Sequence, residues 1–116
     1  MNFIYNKEKL KVFVNYDGWS PNFRQKRIAN DNAEHILILS PSDSIVTCRY
    51  FYSNGVFHGE CSVRSKVRNF NAKTSAQDFV SCTQLLKEDI MSRLNSWKQI
   101  RFFESAAESS YYDRVG

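Results

Sequence analysis

The chain has 116 residues and a formal charge of +4, with 42% hydrophobic and 24% charged residues. That is ordinary globular usage at a length that fits one domain. No run approaches the roughly 18 apolar residues of a membrane span. Met1 to Lys11 mixes charged and apolar side chains and lacks the apolar block of a secretion signal. A cytoplasmic protein is therefore expected, with one domain over 1–103 and a mobile tail over 104–116. The charge excess is local: residues 1–30 carry Lys7, Lys9, Lys11, Arg24, Lys26 and Arg27 against Glu8 and Asp17, while the rest of the chain balances.

The first predicted element is a half-buried strand from Lys9 to Tyr16, where Leu10, Val12, Val14 and Tyr16 alternate with Lys9, Lys11, Phe13 and Asn15. Ser20 to Asn32 is polar and basic, begins near Pro21, and is expected as a loop with at most a short helical turn. Ile36-Leu37-Ile38-Leu39 is a short continuous apolar run, which suits a strand covered on both faces.

The clearest local signal is Asn54-Gly55, two residues that accept positive φ and suit a type I′ hairpin turn. Folding the chain there gives a hairpin over 44–67. Tyr52 then faces Phe57, Tyr50 faces Gly59, Cys48 faces Cys61 and Val46 faces Val63, an almost wholly apolar set. The alternate set pairs Phe51 with His58, Arg49 with Glu60 and Thr47 with Ser62, and is mostly polar. A slip of one residue would mix the two faces, so the pattern itself specifies the register.

A helix is expected from Thr74 or Ser75, with Gln77 or Asp78 completing a capping box, to about residue 95. Phe79, Cys82, Leu86, Ile90 and Leu94 recur at helical spacing, with Trp97 following. The 98–103 segment fits either a helix or a strand. The expected fold is α+β: a small antiparallel sheet of about four strands, including the central hairpin 44–67, packed on one long C-terminal helix (about 75–95).

Few chemistries assemble from this inventory. Cys48, Cys61 and Cys82 are odd in number and lack zinc-site spacing, so they read as buried reduced thiols. The hairpin register separates them from His58, against a thiol nucleophile. The four glycines are isolated, so no phosphate loop forms, and neither a metal nor another cofactor is implied. His58 near Glu60 and Arg49 is the inventory of a small basic ribonuclease. A cross-strand Arg49–Glu60 ion pair with a neighbouring His explains the same residues more simply.

The most informative feature is a set of cations sharing the parity of the polar face. If the second hairpin strand continues, Arg49, Arg64, Lys66 and Arg68 lie on one sheet face with Phe51 and His58. Cations beside aromatic rings suit RNA or single-stranded DNA, or an acidic protein surface; charged edge strands also serve only to block aggregation. A second candidate is the basic stretch Phe23–Arg27, with Arg24 and Arg27. These features imply a non-catalytic binding module, first read as a small inhibitor occupying a partner protein's acidic surface. The Asn-, Lys-, Phe- and Tyr-rich composition associates it with phages or mobile elements. The alternative is RNA or single-stranded DNA binding, and the third reading is the ribonuclease. No membrane partner is implied.

Overall fold

The computed structural model describes residues 11–115, with side chains to residue 100. In chain order these residues form β1 (Val12–Asp17), α1 (Phe23–Leu39), β2 (Ile45–Ser53), β3 (Val56–Arg64), β4 (Asn69–Ala76) and α2 (Phe79–Val115). The strands make one sheet in the order β1-β2-β3-β4. Among the described residues no helix is long and apolar enough to cross a membrane.

The hairpin forms in the register its side chains dictate. Asn54 and Gly55 have φ of 54° and 77°, and Cys48 pairs with Cys61, Tyr50 with Gly59 and Arg49 with Glu60. β4 adds antiparallel to β3. β1, in contrast, lies parallel to β2, so the sheet is mixed. The crossover between them is α1, because a parallel pair cannot be joined by a tight turn. Lys9 and Leu10 of the first predicted strand, and Lys7, lie outside the described residues.

α1 corrects two expectations: residues 23–32 of the expected loop and the Ile36–Leu39 strand belong to a single helix. Its start is fixed by a capping box. The Asn22 side chain accepts from the Gln25 backbone N–H at 2.8 Å, and the Gln25 side chain accepts from the Asn22 N–H at 3.0 Å. The Trp19 indole N–H also donates to Gln25 Oε1 at 3.3 Å. Ala29, Ala33 and Ile36 make the buried stripe, while Ile38 is 77% exposed. The apolar run therefore belongs to a helix that buries part of it, and not to a strand covered twice.

The helix start at Thr74 or Ser75 is corrected as well, since both residues lie in β4. The cap is Asp78, whose carboxylate accepts from the Ser81 N–H and from its hydroxyl, each at 2.8 Å. Those bonds hold the Asp78 carboxyl below its ordinary range. α2 then buries Phe79, Cys82, Leu86, Ile90 and Leu94 as its spacing requires. The 98–103 segment is helical, and the helix backbone continues through Val115.

Both helices pack on one face of the sheet, against Val46, Cys48, Tyr50, Cys61, Val63, Phe70 and Ala72. Gly59 lets α2 approach closely. A Cβ there would lie 3.1 Å from Cys82 Sγ and from Tyr50 Cε1, and 3.2 Å from Leu86 Cδ2. At one end of this core Tyr16, Trp19, Tyr50, Phe57 and Phe79 form an aromatic cluster with centroid separations of 5.1–6.4 Å. Among the described residues the opposite sheet face carries no helix.

Candidate nucleic-acid interface

Strand alternation sends every second side chain to the uncovered face. Reading the register across all four strands gives three complete rows: Phe13–Thr47–Ser62–Asn71, Asn15–Arg49–Glu60–Lys73 and Asp17–Phe51–His58–Ser75. A partial row, Ile45–Arg64–Asn69, lies beyond the first. Neighbours within a row are about 4.8 Å apart at the backbone. The face therefore carries Arg49, Arg64 and Lys73 among amides and hydroxyls, with two carboxylates, Asp17 and Glu60.

None of these cations has a carboxylate partner among the described residues. Among the described residues the ion pairs are Lys11–Asp43 at 3.3 Å and Arg93–Asp89 at 3.4 Å. Arg49 and Glu60 are cross-strand neighbours, yet the expected ion pair between them does not form. Arg49 instead sets its guanidinium carbon 5.8 Å from the Phe51 ring centroid. The other ring contact of Phe51 is His58, stacked at 4.8 Å with 20° between the planes. His58 Nδ1 is in turn 2.8 Å from Ser75 Oγ. Phe51 thus has an Arg and a His on its own sheet face as neighbours, and contributes less open ring surface than the sequence suggested. Phe13, 45% exposed on β1, is the more accessible ring.

The predicted site residues separate into three groups. Arg49, Phe51, His58 and Arg64 come together on the open face. Lys66 and Arg68 do not extend β3, because the strand ends at Arg64. They sit in the turn to β4, where the Ser65 hydroxyl donates to the Arg68 carbonyl at 2.5 Å and accepts from the Arg68 N–H at 3.0 Å. Arg24 and Arg27 are exposed on α1, in the helix layer and away from this face.

Sequence reasoning missed β4 altogether, and with it Asn69, Asn71, Lys73 and Ser75. Their alternation with Phe70, Ala72, Thr74 and Ala76 was the available signal. His35 lies exposed on α1, so the two histidines do not meet. Among the described residues no cluster of three or more His, Cys, Asp or Glu has metal-binding geometry.

The solved structures that share this fold include two whose likeness extends over most of both chains. A ribosomal subunit interface protein from Coxiella burnetii matches with a TM-score of 0.60 at 11% identity, covering 75% of this chain and 98% of its own. The Protein Y N-terminal domain of Thermus thermophilus matches with a TM-score of 0.63 at 5% identity, covering 73% and 94%. At these identities the likeness is one of fold. No protein-family model matches the chain, and no curated protein matches it by sequence.

Proposed function

We propose that this chain is a non-catalytic RNA-binding module that seats the open face of its sheet on a ribosomal RNA surface. The observation that carries the reading is the set Arg49, Arg64 and Lys73 on an uncovered face, each without a carboxylate partner among the described residues. Guanidinium and ammonium groups take phosphates, and the Asn, Ser and Thr side chains between them suit sugar hydroxyls and phosphate oxygens. The fold shared with a ribosomal subunit interface protein supports RNA over the acidic protein surface. It lends nothing to the phage-type inhibitor reading. Phe51, with Arg49 and His58 as ring neighbours, weighs toward backbone contacts over base stacking.

The test is co-sedimentation of the purified chain with ribosomal subunits, joined to RNA titrations across salt concentration. Binding should weaken linearly in log–log form, with a slope of roughly −0.7 to −0.9 per phosphate contacted. Absence of co-sedimentation at low salt, with no RNA binding, would sink the proposal.

A further inference from the structure

Among the described residues β4 is an edge strand, so alternate backbone N–H and C=O groups along it have no strand partner there. Beside that edge runs a groove of about 410 Å³ between the start of β4 and the middle of α2. Arg68, Asn69 and Asn71 line one wall, and Ser96, Trp97 and Ile100 the other. Phe70 forms the floor, edge-to-face with Trp97 at 5.9 Å. Arg93 also borders the groove but is engaged by Asp89. Arg68 has no ion-pair partner among the described residues.

We propose that this groove captures one unpaired nucleotide of the RNA bound on the sheet face, an inference that rests on the RNA-binding reading above. The groove's volume falls in the range of small-molecule sites and is far too small for a duplex. Its chemistry divides as a nucleotide does. Arg68 meets the phosphate, the Asn69 and Asn71 amides and the free β4 edge meet donors and acceptors on the base, and Trp97 with Ile100 supplies apolar surface against the base plane. Asn69 and Asn71 belong at once to the rim of the groove and to the open face, so an RNA strand crossing that face reaches the groove without a break.

The experiment titrates isotope-labelled full chain with two RNA hairpins that differ only by one unpaired nucleotide. The interrupted hairpin should bind about tenfold more tightly, a modest return for one seated base. It should also shift the side-chain amides of Asn69 and Asn71 and the indole N–H of Trp97. Ile100→Glu, at an exposed α2 position in the groove and off the sheet face, should erase the tenfold preference and keep the affinity for the paired hairpin. Equal affinity for the two hairpins, with the groove signals unmoved, overturns the inference and leaves the RNA reading standing. Binding to neither hairpin overturns both. Adenosine monophosphate alone producing the same shifts at the same concentration overturns the assignment to RNA.

Discussion

The thiols of Cys48 and Cys61 face each other across the central hairpin with their sulfurs 3.6 Å apart, both buried. The hydrogen bond shared with Cys48, together with burial, pushes the Cys61 thiol far above its ordinary range, and burial raises Cys82 too. Native protein should therefore react with maleimide at least a hundredfold more slowly than protein in urea. Brisk labelling of the folded state would contradict the packing described. An acidic group whose folded pKa is raised keeps its proton while the unfolded chain loses it. Its stabilisation is complete below the unfolded pKa, about 8.5 for Cys, and is lost as pH rises above that. Burial raises the Tyr50 phenol as well, adding a loss above about pH 10. Urea midpoints should fall from pH 8 to pH 10, as the unfolded chain releases thiol protons that the folded core retains.

Gly59→Ala should destabilise the fold by about 1–3 kcal/mol, the usual cost of overpacking, because three core atoms stand 3.1–3.2 Å from the new methyl group. Leu86→Ala alone should cost about 2–5 kcal/mol. Together they should cost less than the sum, since Leu86 Cδ2 is one of the obstructing atoms. Simple additivity in urea denaturation would mean that Gly59 does not set the spacing of α2.

Tyr16→Phe should be neutral or stabilising, by up to about 1–3 kcal/mol. Among the described residues the buried Tyr16 hydroxyl has no hydrogen-bond partner, and an unsatisfied polar group costs about that much. A clear loss of thermal stability would count against this.

The two turn glycines should respond differently to Ala. Gly55 has φ of 77° with open space around its Cα, so only the left-handed backbone cost of about 1–2 kcal/mol applies. Gly18 has φ of 88°, and a Cβ there would run into the Tyr52 carbonyl oxygen. Gly18→Ala should be the more damaging in a thermal melt, and equal losses would refute the close approach.

Charge reversal should separate the two basic surfaces. Arg49→Glu with Lys73→Glu should leave folding intact, since exposed charges contribute little, and should lower the log–log salt slope for RNA by roughly 1.4 to 1.8. Arg24→Glu with Arg27→Glu should change that slope much less. The opposite ranking would move the site to the helix layer.

The sequence was most legible where one signal had one meaning. Asn54-Gly55 fits few conformations other than a tight turn, and the facing pairs then left one register. The α2 stripe was equally clear, since Leu86, Ile90 and Leu94 repeat every fourth residue. α1 was obscured because its buried stripe uses Ala29 and Ala33, which contrast weakly with a polar sequence, while Ile38 points to solvent. Its Asn22–Gln25 box went unread beside Pro21. Thr74 and Ser75 suit a strand as well as a cap, and only packing on β3 decides. That error hid Lys73 and Asn71, and with them one of the four strands of the candidate site.

The parallel pairing of β1 with β2 also sets an order of assembly. The β2–β3–β4 meander closes through short turns, and α2 follows directly, so these pieces gain contacts for little loop entropy. Val12 can meet Val46 only after the whole of α1 has formed and folded back, which makes β1 the costliest closure and the slowest to form. Amide protons of β1 should therefore exchange with solvent sooner than those of β3, the strand held on both sides.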